Sequence, residues 1–255
     1  GSFNQFSFDN KFFFTTYNDS TYVYDSDNCK KLSQMDGNFK QYSPDGNYVF
    51  TNEDDTTYVY NSSNWLKIAQ LNGDFKQYSY DSKNIFITTG DYTYLYDSSD
   101  WSKIAQLNGD FKQYSPDGKY ILSVATNNEI TYIYDSFNLK YITQLIGADF
   151  EYSLDSRYVL NFNFISIVGS TEKASVYRAN DWVKIGTISG NAFEFSPNSK
   201  YIFSAFVDYN GVTSYVYDIN NCKPLIKMTD TYIETIDKYI LSSYNDQTYV
   251  VYIDN

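Results

Sequence analysis

Residues 39–71 alternate between short β-prone runs and clusters of turn residues: "FKQYS", "NYVFTN", "TTYVY" and "LKIAQL" are separated by "PDG", "EDD" and "NSSNW". Runs of five or six residues rich in Tyr, Phe, Val and Ile, bounded by Asp, Asn, Ser and Gly, predict strands joined by tight turns. Four such runs make a unit, with strands A to D in order. Strand A ends at a "PDG"- or "DS"-type turn, B meets C through a short Asn/Asp/Gly hairpin, and C reaches D through a "DSSD"-like loop. Both faces of the runs carry apolar or aromatic residues, as expected of sheets packed between two neighbours.

The unit recurs along the chain. The phrase aromatic-Ser-x-Asp/Asn begins at Phe6, Tyr42, Tyr78, Tyr114, Tyr152 and Phe195, and a degraded seventh copy, "IETIDKYIL", begins at Ile233. Each is followed by a second phrase of the form "TYVYD". Thirteen residues, "KIAQLNGDFKQYS", stand unchanged at Lys67 to Ser79 and at Lys103 to Ser115. A fixed period in this range marks a repeat architecture. Seven repeats (approximately 3–36, 37–72, 73–108, 109–146, 147–189, 190–228 and 229–255) of four antiparallel strands predict an all-β fold in a single domain, a seven-bladed β-propeller. The sequence starts in strand A of the first unit and stops in strand C of the seventh. The last blade is therefore expected to have three strands, with Tyr249, Val250, Val251 and Tyr252 as an edge that a second copy or a partner strand can cover.

"YSPDGKYILS" followed by "TYIYD" resembles the WD40 family and its WD40-like propeller relatives, and the likeness runs through all seven units. Tyr24, Tyr60, Tyr96 and Tyr134 stand where WD40 repeats place the Trp of their Trp-Asp dipeptide, and the chain has no His to supply the family's buried one. Trp65, Trp101 and Trp182 instead open strand D, with Cys29, Leu139 and Cys222 at the matching positions. The resemblance implies a scaffold for protein–protein contact.

Composition narrows the chemistry. Of 255 residues, 29 are Tyr and 19 Phe, none is His, and the net charge is −12. Abundant Asn, Lys, Ile, Tyr and Phe beside scarce Ala, Arg and Pro is the bias of an A/T-rich genome. Without His, Ser-His-Asp and Cys-His nucleophile pairs are excluded, and an enzyme is not expected. The acidity and the two isolated arginines, Arg157 and Arg178, argue against nucleic acid and against an anionic membrane surface, and no apolar run approaches a spanning helix. Cys29 and Cys222 fall in blades too far apart to bridge, so both are expected as free thiols, which fits a cytoplasmic chain.

Candidate binding residues come from departures from the repeat. The span from the start of strand B to the closing Tyr of strand C is 12 residues in units 1 to 3, 14 in unit 4, 19 in unit 5 and 16 in unit 6. The extra length, "NFNFISIVGSTEKAS" and "FVDYNGV", forms hairpins expected to project and expose Ile165, Ile167 and Val168. Glu172, Asp208, Tyr209 and Asp149 lie beside them. Acidic and amide residues crowd the B–C hairpins of every unit, which is the chemistry tight hairpins demand and also a surface for a basic protein partner. No EF-hand-like spacing supports Ca²⁺, so neither a metal nor a cofactor is expected. The alternative is a small-ligand-binding or carboxylate-based hydrolytic propeller working at the channel mouth.

Overall fold

In the computed structural model all residues are described except 8, 80, 128, 163–171, 191, 209–210, 230–231, 237–238, 245–246 and 253–255. Every regular element among them is a β-strand. Seven antiparallel sheets follow one another along the chain: six have four strands, and the last, Tyr232–Ile236, Tyr239–Tyr244 and Gln247–Tyr252, has three. These are the blades of an all-β propeller, spanning residues 2–36, 38–72, 74–108, 110–146, 149–190, 192–229 and 232–252. Two compact units divide the chain, Gly1–Gln113 and Tyr114–Asn255.

Three side-chain devices explain why the same phrases recur. At the A–B turn the Ser of each anchor donates its hydroxyl to the carboxylate or amide two residues on. Examples are Ser43 to Asp45 Oδ1 (2.6 Å) and Ser115 to Asp117 Oδ1 (2.7 Å). The same hydroxyl accepts from the first backbone N–H of strand B, as Tyr48 N to Ser43 Oγ (2.8 Å) and Tyr120 N to Ser115 Oγ (2.9 Å). Neither group of the turn is then left for water alone. At the B–C hairpin of blade 1, Asn18 and Asp19 both hold positive φ, 47° and 53°, as a type I′ turn requires.

The third device lies at the D–A corner. Gly73 (φ 113°) donates its N–H to Asp55 O at 2.6 Å, and its carbonyl accepts the buried Thr57 hydroxyl at 2.7 Å. A Cβ there would lie 2.5 Å from the Thr88 carbonyl oxygen of the next blade. Gly37, Gly109 and Gly147 repeat the arrangement with Thr21, Thr93 and Thr131. "LNGD" is thus fixed by backbone conformation and by lack of room.

Packing follows the sheets in pairs. In the first unit, Phe50, Val59 and Leu71 of blade 2 share a cluster with Phe75, Tyr78, Ile85 and Ile87 of blade 3. Phe50 stacks on Phe75 with ring centroids 4.6 Å apart. In the second unit, Leu122, Ile133 and Leu145 of blade 4 pack with Val159 and Trp182 of blade 5. Strand B is buried on both faces, as Tyr48–Glu53 and Asn84–Thr89 illustrate. Strand D is not: in Lys67–Asn72 and Lys103–Asn108 only the Leu is buried, because this outermost strand sends inward only the residue that faces its neighbour.

The Trp/Cys/Leu position is also corrected. It does not open strand D but precedes it, by two residues in five blades and by one in blade 5, in the left-handed region: Cys29, Trp65, Trp101, Leu139, Trp182 and Cys222 all have φ between 55° and 61°. Each donates its N–H to the carbonyl four residues earlier, as Trp65 to Asn61 O (2.8 Å) and Trp182 to Arg178 O (2.8 Å). The turn throws the side chain back onto the preceding blade, where Trp65 meets Phe12 edge-on at 5.1 Å and Trp101 meets Tyr48 at 5.0 Å. Six closing tyrosines, Tyr24, Tyr60, Tyr96, Tyr134, Tyr177 and Tyr217, share a register, each directly after a bulge between strands C and D. The Tyr60 hydroxyl accepts from Asp36 N at 2.9 Å, and burial pushes its pKa up to about 12.

Cys29 and Cys222 are free thiols. Burial pushes Cys222 up to about 11, far from a reactive thiolate. In the last blade, Tyr249, Val250, Val251 and Tyr252 pair with Ser242, Leu241, Ile240 and Tyr239 on one side, and among the described residues no strand pairs on the other.

Candidate functional site

The departures from the repeat gather at the B–C end of blades 5 and 6. In blade 5, Asp149 pairs in register with Phe162, the last residue of strand B, and strand C begins at Glu172, opposite Gly190. Asp149 and Glu172 therefore share one end of that sheet. Ile165, Ile167, Val168 and Tyr209 lie outside the described residues. In blade 6, strands Tyr201–Asp208 and Gly211–Asp218 run eight residues each. Among the described residues strand A pairs only as far as Ala205 and strand D only as far as Thr213. The pairs Val207↔Val212 and Asp208↔Gly211 consequently stand beyond both flanking strands. Blade 3 has no such extension: its hairpin closes at Thr89↔Tyr92, and Tyr92 is still paired with strand D.

Several acidic residues at this end of the first unit are engaged within the protein. Asp36 accepts from Lys67 Nζ (2.8 Å), Asp74 from Asn52 Nδ2 (2.6 Å), and Asp110 pairs with Lys76 (3.0 Å). Each of these carboxylates ties one blade to the next across blades 1 to 4.

A carboxylate pair that the repeat alignment did not bring forward lies on the first strands of blades 5 and 6. Register equates Gln5, Gln41 and Gln77, which face Phe14, Phe50 and Phe86 of strand B, with Glu151, Glu194 and Glu234, which face Leu160, Phe203 and Leu241. Burial, and secondarily the negative charge of Glu194, raises the Glu151 carboxyl above the ordinary Glu range. The signal was present in the sequence as a switch from Gln to Glu in the residue before the anchors of blades 5 and 6.

On the opposite, A–B end of the second unit a cleft of about 490 Å³ opens between blades 4 and 5. Asp117, Lys119 and Tyr120 form one wall; Tyr152, Asp155, Arg157 and Tyr158 form the other, and Arg178, Ala179 and Asn180 of the C–D turn close it. Tyr120 donates to Asn180 O (3.3 Å) and rests edge-on against Trp182, centroids 5.2 Å apart. The three cations are each paired: Lys119 with Asp117 (3.0 Å), Arg157 with Asp155 (2.6 Å) and Arg178 with Asp181 (2.5 Å). Nothing in the sequence reading pointed here, because the two arginines are 21 positions apart and each alone reads as a surface charge.

No family model matches the chain, and no curated protein matches it. Among solved structures, the crystal structure of a eukaryotic initiation factor is similar at 17% identity over 89% of this chain and 64% of that one, with a TM-score of 0.56. The dihydro-heme d1 dehydrogenase NirN, solved in complex with DHE, is similar at 13% identity over 95% of this chain and 62% of that one, TM-score 0.49. Kluyveromyces lactis Hsv2 is similar at 11% identity over 93% and 88%, TM-score 0.45. The chain spans less than two thirds of the first two structures. The likeness to the initiation factor is one of fold, and the fold is that of an all-β propeller.

Proposed function

We propose that this chain is a WD40-like, non-catalytic propeller that holds a protein partner at the B–C end of blades 5 and 6. The observation that carries the reading is the blade 6 hairpin, which continues two residue pairs past the described pairing of strands A and D on a scaffold whose hairpins in blades 1 to 3 follow the repeat. Loops that depart from a rigid repeat are where such scaffolds acquire contacts. Asp149, Glu172 and Asp208 put negative charge at the same ends of these two sheets, which suits a basic partner surface. The test is capture of a binding protein by the wild-type chain and its loss when Ile165, Ile167 and Val168 are replaced by Ser.

A second reading is favoured by one observation, the equivalent strand A positions of Glu151 and Glu194 in neighbouring blades, with burial first and the charge of Glu194 second raising the Glu151 carboxyl above the ordinary Glu range. Such a pair suits binding of a small polar ligand or acid-assisted hydrolysis. Turnover of a panel of nitrophenyl glycosides by the wild type and not by Glu151→Gln would favour this reading over the first.

A further inference from the structure

Both arginines of an otherwise strongly acidic chain line one cleft, and the repeat shows what each replaces. Arg157 stands where blades 1, 3, 4 and 6 carry Lys11, Lys83, Lys119 and Lys200. Arg178 stands where the other described four-stranded blades carry Asp25, Asn61, Asp97, Asp135 and Asp218. There the side-chain oxygen caps the C–D turn: Asp25 Oδ1 accepts from Asp27 N (2.9 Å), Asp97 Oδ1 from Ser99 N (2.8 Å) and Asp218 Oδ1 from Asn220 N (2.8 Å). A guanidinium cannot accept a hydrogen bond, so blade 5 forgoes a cap that its sister blades make.

What the exchange adds is donors. Arg178 spends Nε and Nη2 on Asp181, and Arg157 spends Nε on Asp155 Oδ2. Among the described residues Nη1 of Arg178 and both terminal nitrogens of Arg157 have no acceptor. The hydroxyl of Tyr152, which lines the cleft, is buried without a partner, and so is the indole N–H of Trp182 behind Tyr120. Trp182 is only 7% exposed. Orphaned buried polar groups are rare enough to ask for a partner. The matching cleft between blades 2 and 3, lined by Asp45, Tyr48, Tyr78 and Ser82, encloses about 210 Å³ and has no arginine, while its Tyr78 hydroxyl is likewise buried without a partner, so the two arginines and the greater volume, not the tyrosine, set the larger cleft apart. Three ion pairs leave the larger cleft near neutral, so an anion can enter it without meeting the net charge of the whole chain.

We propose that the cleft between blades 4 and 5 binds a small organic oxyanion, a carboxylate or a phosphate, gripped by the open edges of Arg157 and Arg178 and by the Tyr152 hydroxyl. Planar guanidinium forks suit both oxyanions. A volume of about 490 Å³ admits a metabolite-sized molecule and excludes a folded chain. The tyrosine rings at positions 120, 152 and 158 supply flat walls.

The experiment is titration of the full chain with inorganic phosphate, citrate, adenosine monophosphate and, as the uncharged control, adenosine, followed by calorimetry and by the indole N–H resonances. Saturable binding of at least one anion with Kd at or below about 1 mM is expected, with adenosine silent. Phosphate and adenosine monophosphate without citrate would identify a phosphate site; citrate alone would identify a carboxylate site. Arg178→Asp restores the residue type of the sister blades, so it should fold with an unchanged or raised midpoint while weakening binding about tenfold or more. Arg157→Lys keeps the charge, removes the fork, and should weaken binding as well. Absence of binding by every anion, or equal binding by Arg178→Asp, would overturn the proposal.

Discussion

Thr93 donates its hydroxyl to the Gly109 carbonyl at 2.7 Å from a position with no solvent exposure, and its oxygen lies 3.1 Å from Thr88 Oγ1. The bond fastens strand C to the D–A corner and recurs at Thr21, Thr57 and Thr131. Thr93→Val keeps the shape and strands a buried carbonyl, so it should cost about 1–3 kcal/mol. Thr93→Ser keeps the donor and should cost less. Urea midpoints of the two variants check the order.

Glycine at the D–A corner is required by space as well as by φ. Gly73→Ala puts a methyl group 2.5 Å from a backbone oxygen, whereas Gly46 (φ 75°) has only the edge of Tyr42 at 3.6 Å. Gly46→Ala should lose about 1–2 kcal/mol from the left-handed backbone alone. Gly73→Ala should lose clearly more, or fail to fold. Equal losses at the two sites would contradict the packing argument.

Trp182 tests the turn that precedes strand D. Removing its buried ring by Trp182→Ala should destabilise by about 3–5 kcal/mol. Trp182→Leu should lose less, since Leu139 adopts the same left-handed conformation in blade 4 (φ 60°). The comparison is read from thermal midpoints of the two variants.

The pair Glu151 and Glu194 gives a pH dependence with a definite sign. Burial first, and Glu194 second, raise the folded-state pKa of Glu151 above the ordinary value of a Glu carboxyl. Its favourable contribution is therefore complete below that value and is lost as pH rises through the folded pKa. Glu151→Gln, which installs the residue of blades 1 to 4, should be more stable than the wild type at neutral pH. The advantage should vanish toward pH 4. A midpoint difference independent of pH would sink this account.

The blades were legible because the repeat writes its turns in side-chain chemistry: Ser43 with Asp45, Thr57 with Gly73, and Asn18 with Asp19 leave few other conformations open. The left-handed site of Trp65 and Trp101 was not, because a Trp before a β-prone run reads as the first residue of that strand. Its φ is set by a backbone bond to Asn61 O or Asp97 O that no side chain advertises. Asp149, Glu172 and Asp208 were expected from the acidic residues of the loops beside the two hairpins whose length departs from the repeat. The cleft was missed because Tyr120, Tyr152 and Arg178 meet only through the packing of blade 4 on blade 5.

The central claim, that contacts reside in the departures from the repeat, is tested most directly by exchanging the blade 6 hairpin for that of blade 3. Replacing residues 207–212 with the two-residue turn Gly90-Asp91 shortens the span from Tyr201 to Tyr217 to the 12 residues of the regular blades. That turn is native to the repeat, so the variant should fold with a midpoint close to wild type. In quantitative capture from the source cell, it should lose the partner that the wild-type chain retains. Recovery of the same partner in the same amount by both proteins would contradict the account.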